Sequence, residues 1–168
     1  GEAYAQTLNS FVSAALKGQP GTVAEVKIQR PGEKKPRLIK ITREKIVVDA
    51  VSYYGMLTPE VGYINLNGFT DKSAAETKAA FLELKSKGIK SLVFDLRGNG
   101  GGVLDDAVQI VNMFVPKGKV IVSTKGKLKQ WDRTYRTTLD PIDLDIPIVV
   151  LVDKGSASAS EIVAGSLQ

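Results

Sequence analysis

Ser156, Ser158 and Ser160 alternate with alanines in the stretch Ile148-Val149-Val150-Leu151-Val152-Asp153-Lys154-Gly155-Ser156-Ala157-Ser158-Ala159-Ser160-Glu161. An apolar, β-branched run ends near a glycine and passes through small residues into a segment that reads as helix. A serine at such a strand-to-helix turn stands at the end of a sheet, where the unpaired N–H groups of a starting helix can bind an anion. That is the setting an acyl-transfer nucleophile needs. The chain has no histidine and no cysteine, so a base serving such a serine must be another group, with lysine the leading candidate. The turn also has a plain structural reading, because serine is a favoured N-cap in any helix.

A second segment bears on the choice: Phe94-Asp95-Leu96-Arg97-Gly98-Asn99-Gly100-Gly101-Gly102. A strand ends there, and a loop with four glycines leads into a helix. Glycines let the backbone take positive φ and let a substrate approach main-chain amides closely. Successive amides turned inward form an anion-binding nest, useful as a phosphate cradle or as an oxyanion hole. The phosphate reading is the weaker one. No Lys-Ser/Thr pair follows the loop, and its glycines do not keep the G-x-G-x-x-G spacing of a dinucleotide site. A purely structural turn is the third reading of a glycine loop taken alone.

The elements that would carry these loops follow from periodicity. Leu8, Phe11, Val12, Ala15 and Leu16 share a helical face, with Thr7 as N-cap and Gly18 as stop. Val23–Arg30 and Arg37–Arg43 alternate as the strands of a hairpin around Pro31-Gly32. A helix and a hairpin make a small core, so this piece reads as part of a domain. Residues 46–60 read as a linker with a strand over Ile46–Val51 and a bend at Tyr53-Tyr54-Gly55. From Val61 the pattern becomes α/β: a strand over Val61–Phe69, then a helix to about Lys87 with Ala80, Phe81 and Leu84 inward. Ser73 and Glu76 have the spacing of a capping box. Ser91–Leu96 reads as a buried parallel strand, Val103–Phe114 as a helix, and Lys119–Thr124 and Trp131–Arg136 as strands. A proline-bearing loop over Asp140–Ile146 leads to a central strand, Pro147–Val152. The alternation predicts crossovers and a largely parallel sheet. Both ends read as cut, the second in mid-helix.

Composition bounds the rest. At 168 residues, 43% hydrophobic and 24% charged, the chain is of globular type. Its net charge of +5 rests on lysines in turn-like places, Gly32–Arg37 and Lys117–Lys129, without interleaved aromatics. These are solvated hairpin faces and not a nucleic-acid groove. No run approaches the length of a membrane span, the opening residues do not read as the n-region and h-region of a signal peptide, and without His or Cys neither disulfides nor a zinc site are expected. No metal or cofactor is implied.

Asp-Leu-Arg-Gly-Asn-Gly-Gly-Gly, followed further on by Gly-Ser-Ala-Ser-Ala-Ser-Glu-Ile, resembles the C-terminal processing (tail-specific) proteases, the S41 serine peptidases. Leu8–Lys17 and the hairpin after it resemble the latter half of the PDZ domain these enzymes carry. The resemblance implies an α/β, ClpP/crotonase-like protease core over residues 61–168, truncated on its C-terminal side, with a partial PDZ domain over 1–45 and the linker 46–60 between them. It implies Ser158 as nucleophile, with Ser156 and Ser160 flanking it to shape the turn and cap the helix. The backbone N–H of Ala159 and an amide of the Gly101–Gly102 pair would form the oxyanion hole. Asp95 and Arg97 would brace the loop, and Glu161 would serve the helix dipole.

The resemblance further implies a Ser/Lys dyad whose lysine lies about two dozen residues past the serine, after Gln168. Lys154, in a turn before the serine, does not match it, so this chain alone is expected not to hydrolyse peptides. Leu8, Phe11 and Val12 could line a peptide groove, with core packing the rival role. The implied partners are protein or peptide substrates with free C-termini, and the resemblance leaves room for a homo-oligomer. The implied location is periplasmic or otherwise extracytoplasmic, with an upstream membrane anchor allowed. Two rivals stand beside this reading: a non-catalytic, PDZ-type binding or scaffold protein, and a crotonase-like acyl-CoA enzyme that uses the same amides.

Overall fold

The structure, a computed structural model, describes residues 10–46 and 48–168. The chain divides into two units, Gly1–Val48 and Asp49–Gln168.

In the first unit, residues 10–16 are helical (α1). Strands β1 (Val23–Ile28) and β2 (Arg37–Thr42) pair antiparallel, from Val23 opposite Thr42 to Ile28 opposite Arg37. The hairpin matches its expected place. Pro31 and Gly32 turn the chain, with Gly32 at φ +84° and the Glu33 N–H donating to Arg30 O at 3.1 Å. Proline then glycine suits a type II turn, whose third residue needs positive φ. Leu8 and Thr7 lie outside the described residues. Phe11 and Val12 are exposed, Phe11 at 72%.

The second unit is a mixed α/β structure. Its four-stranded sheet has the order β3-β4-β5-β8, from β3 (Val51–Thr58), β4 (Val61–Leu66), β5 (Ser91–Asp95) and β8 (Ile148–Leu151). β3 runs antiparallel to β4, while β4, β5 and β8 are parallel. Helices α2 (Ser73–Ser86), α3 (Leu104–Asn112) and α4 (Ala159–Leu167) pack in a row, α2 on α3 and α3 on α4. A separate antiparallel pair, β6 (Val120–Thr124) and β7 (Arg133–Arg136), lies before β8, and β6 touches α4. The core is apolar and closed: Ile64 and Leu66 of β4, Leu92 and Phe94 of β5, Phe81 and Leu84 of α2, Ile110 and Val111 of α3 and Val163 of α4 are all buried. Phe81 meets Phe114 edge to face, with ring centroids 5.0 Å apart. No helix among the described residues is long and apolar enough to cross a membrane.

Two local expectations are corrected. Where a strand over Ile46–Val51 and then a bend were expected, the strand begins at Val51 and continues through Tyr53-Tyr54-Gly55. Pairing with β4 decides this: Tyr53 packs on Tyr63, and the Tyr54 hydroxyl donates to Glu83 Oε2 at 2.6 Å. Gly55 is where the Tyr53 hydroxyl comes close, since a Cβ there would stand 2.8 Å from it.

The Ser73–Glu76 capping box does not form; Lys72 stands at the N-cap of α2 without a side-chain bond. Ser73 Oγ instead donates to Gly68 O and accepts from the Thr70 N–H, and Glu76 Oε2 accepts from the Val51 N–H. Backbone groups of neighbouring segments outcompete the helix's own. Among the described residues β8 is hydrogen-bonded to β5.

Candidate active site

The last residues of β5 and β8 lie side by side, Asp95 opposite Leu151, in parallel strands. The loops that follow therefore leave the same end of the sheet, the usual position of a site in a parallel α/β sheet. The glycine loop follows one strand and the serine turn follows the other.

Hydrogen bonds sew the two loops together. Asp153 Oδ1 accepts the Gly98 and Gly155 N–H groups, each at 2.8 Å. These two amides hold the Asp153 carboxyl below its ordinary pKa. Ser156 Oγ donates to Leu96 O at 2.7 Å and accepts the Asp153 N–H at 2.9 Å. Asn99 is fully buried. Its main-chain oxygen accepts the Ala157 N–H at 3.1 Å and Ser160 Oγ at 2.8 Å. Its side chain accepts the Gly101 N–H at 2.9 Å and donates to Leu66 O at 2.8 Å.

Ser158 lies between these ties. It stands at the N-cap of α4 with φ 56° and ψ −112°, and it alone among the described non-glycine residues has positive φ. A β-carbon in that conformation costs on the order of 1–3 kcal/mol, which the surrounding bonds must hold. Ala159 and Ser160 are buried beside it while Ser158 is exposed. The Ser158 N–H donates to Glu161 Oε2 at 2.7 Å, so the two residues face each other as a capping box. Ser158 opens onto a cleft of about 590 Å³ lined by Ile121 and Val122 of β6 and by Glu161 and Ile162 of α4.

The two glycines of the predicted oxyanion pair are held differently. Gly101 has φ +95°, and a Cβ there would meet Ala157 O at 2.7 Å, Ser158 Cβ at 2.8 Å and Ala159 N at 3.0 Å. Only a glycine lets the loop come this close to the serine. Gly102 bridges to Phe69: the Phe69 N–H donates to Gly101 O and the Val103 N–H donates to Phe69 O. The Gly101 N–H is occupied by Asn99. Among the described residues, the N–H groups of Gly102 and Ala159 have no acceptor.

Asp95 and Arg97 stand at the base of the loop. Arg97 Nη2 donates to Asp95 Oδ2 at 2.6 Å, the Arg97 N–H donates to Oδ1 at 2.9 Å, and the Tyr63 hydroxyl donates to Oδ2 at 2.6 Å. Arg97 first of all, and then Tyr63, lower the buried Asp95 carboxyl to a pKa of about 2 against the opposing effect of burial. The same carboxylate raises the Tyr63 hydroxyl and the Arg97 guanidinium. A carboxylate so fully occupied braces the loop and is unsuited to proton transfer near neutral pH.

The structure thus brings together Ser158, Ala159, Gly101 and Gly102. Phe11 and Val12 lie in the other unit, where Val12 lines a cleft of about 680 Å³ with Leu16, Ile41 and Ile46. Lys154 stands exposed in the turn before Ser156, and among the described residues no lysine is hydrogen-bonded to Ser158 Oγ. Ser160 does not cap the helix; it ties α4 back to Asn99. Two residues went unassigned in the sequence, Asn99 and Asp153. The signal that could have found them is a polar residue set among glycines at a strand end, where loop amides need acceptors.

The sequence model described as "Peptidase family S41" matches residues 60–168. A protein of Bartonella bacilliformis named "Carboxy-terminal-processing protease" is 41% identical over 167 residues, 97% of this chain and 38% of that protein. A protein of Staphylococcus aureus named "Probable CtpA-like serine protease" is 40% identical over 154 residues, 91% of this chain and 30% of that one. The solved structure titled "Photosystem II D1 C-terminal processing protease" superposes with a TM-score of 0.64 at 31% identity, covering 95% of this chain and 44% of that one. The chain therefore spans less than half the length of each.

Proposed function

The chain belongs to peptidase family S41, and on that premise we propose that it carries the nucleophile and oxyanion hole of a serine endopeptidase that cuts protein substrates near their C-termini. The observation that carries this reading is Ser158, held at positive φ on a strand-to-helix turn against a glycine loop. Strain of this kind persists where the conformation itself is useful.

Ser158 Oγ attacks the scissile carbonyl carbon while its proton passes to a base. In this reading the base is a lysine outside the 168 residues, with its pKa depressed enough to be neutral. The carbonyl oxygen becomes an oxyanion and receives the Ala159 N–H, at the positive end of α4, and the Gly102 N–H. Collapse of the intermediate breaks the C–N bond, and the base returns the proton to the leaving amine. Water then hydrolyses the ester on Ser158 by the same route. The 168-residue chain by itself is accordingly expected to be inactive.

The first unit, with α1 and the β1–β2 hairpin, is proposed to be part of a PDZ domain over residues 1–45 that binds substrate C-termini. Such domains take a peptide as an added strand beside a helix. The second unit is proposed to be part of a ClpP/crotonase-like core working outside the cytoplasm. The binding-module and acyl-CoA readings leave the strained serine without a role.

The test is fluorophosphonate labelling of the full-length protein, wild type beside Ser158→Ala, with mass spectrometry of the labelled peptide. Label on Ser158, lost in the variant together with peptidase activity by at least about 1,000-fold, is the expected result. A fully active Ser158→Ala enzyme would overturn the assignment.

A further inference from the structure

Asn99 takes no part in the chemistry just described, yet it is hydrogen-bonded to residues that flank the groups that do: Gly101, Ala157 and Ser160. It is fully buried between the sheet and the two loops. Its Nδ2 reaches back to Leu66 O, at the end of β4. Its Oδ1 takes the Gly101 N–H. Its main-chain oxygen receives two donors from either side of Ser158, the Ala157 N–H before it and Ser160 Oγ after it.

Resting on the reading of Ser158 as nucleophile, we propose that Asn99 is the positioning residue that sets the oxyanion amides and the serine in one fixed relation. Two consequences of the bonds carry this. First, Oδ1 engages the Gly101 amide, which leaves the following amide, Gly102, as the free donor of the Gly101–Gly102 pair. That bond fixes the peptide before Gly101, while the Phe69 N–H on Gly101 O fixes the peptide that carries the Gly102 N–H. Second, the Asn99 carbonyl grips the serine turn on both sides of Ser158. The one residue that occupies the Gly101 amide therefore also locates the nucleophile and the Ala159 N–H.

An asparagine is suited to this task because one amide group offers an acceptor and a donor at opposite ends. An aspartate would accept from Gly101 but place a carboxylate oxygen against Leu66 O. Alanine would remove both side-chain arms and leave the Gly101 N–H and Leu66 O without a partner in a buried site. Preorganised donors owe their effect to being already aimed before charge develops. Loosening them therefore weakens binding of a tetrahedral species far more than binding of an intact peptide.

The experiment measures both in the full-length protein. Acetyl-Ala-Ala-boroAla, which forms a tetrahedral adduct with an activated serine, is titrated into wild type, Asn99→Ala and Ser160→Ala. The corresponding tripeptide amide is titrated into the same proteins carrying Ser158→Ala. For Asn99→Ala the boronate is expected to bind on the order of 100-fold more weakly, with the amide changed less than about 3-fold. For Ser160→Ala, which removes one arm to the Asn99 carbonyl, the boronate is expected to weaken about 5-fold, the loss of one neutral hydrogen bond. Ser160→Ala carries the test if Asn99→Ala does not fold. Equal losses for boronate and amide, or no loss for either, would overturn the proposal. A wild-type protein that forms no adduct on Ser158 would instead overturn the reading of Ser158, and this proposal with it.

Discussion

Along β2 every residue from Arg37 to Thr42 is exposed, whereas along β4 every second residue from Gly62 to Leu66 is buried. Both strands come from alternating sequence, so alternation alone does not make a core. β4 has neighbouring strands on both sides and α2 packed on it, which together remove Ile64 and Leu66 from water. Within the first unit, Ala24 is the one buried residue among those described. That unit is held by its hairpin ladder and by Arg43. Apolar packing dominates the second unit and polar ties dominate the first.

The largest test of that contrast compares two phenylalanines. Phe81 is fully buried against Phe114. Phe81→Ala is expected to cost about 3–5 kcal/mol through lost transfer energy and the cavity left behind. Phe11, on α1, is exposed, and Phe11→Ala is expected to stay within about 0.5 kcal/mol. Urea unfolding followed by circular dichroism reads both. A Phe11 variant as damaged as the Phe81 variant would break the contrast.

Acid gives a smaller effect, in the second unit. The Asp95 carboxyl lies at about 2 in the folded protein against an ordinary 3.8. A depressed carboxylate stabilises above its unfolded pKa, and the contribution is lost as pH falls through the folded value. The expected contribution is at most about 2 kcal/mol, present above about pH 4 and gone below about pH 2. The stability gap between wild type and Asp95→Asn should therefore narrow from pH 5 to pH 2, because other carboxylates contribute equally to both proteins. A gap that stays constant would show that the variant acts through packing. The first unit's ion pairs, Arg37–Glu33 and Lys40–Glu25, lie at the surface, with Glu33 alone half-buried, where such pairs contribute about 0–1 kcal/mol.

The contrast also separates what was legible in the sequence from what was not. The β1–β2 hairpin, β5, β6 and α2 fall within a residue or two of their expected places because period and glycine stops are local signals. Ser158 and the glycine loop were legible for the same reason, each being a strand-to-helix turn written in a few consecutive residues. Tyr53-Tyr54-Gly55 was not, because whether it bends or extends depends on pairing with β4. Ser73 and Glu76 have the spacing of a helix cap, but their partners, Gly68, Thr70 and Val51, lie outside the helix. Asn99 is the extreme case. Its partners come from β4, from its own loop and from a turn about sixty residues away, and no short window of sequence contains them.

Arg43 tests the polar side of the comparison with the smallest expected effect. Its Nε donates to Leu16 O at 2.7 Å, Nη2 to Ala15 O at 3.1 Å and Nη1 to Thr22 Oγ1 at 2.9 Å. The first two acceptors are carbonyls at the end of α1, which lack partners within a helix and carry the negative end of its dipole. The guanidinium therefore closes α1 onto the start of the hairpin. Arg43→Ala is expected to cost about 1 kcal/mol, reduced from the value of buried charged hydrogen bonds by partial exposure. Arg43→Lys should recover less than half of that, since a single ammonium cannot reproduce the fork. Hydrogen exchange reads it locally: the Lys17 amide, bonded to Ser13 O, should exchange about 5-fold faster in Arg43→Ala, with Phe94 in β5 unchanged. If Lys17 keeps its protection while Leu16→Ala removes it, the first unit rests on the apolar cleft of Val12, Leu16 and Ile41, and the two units are held by the same force after all.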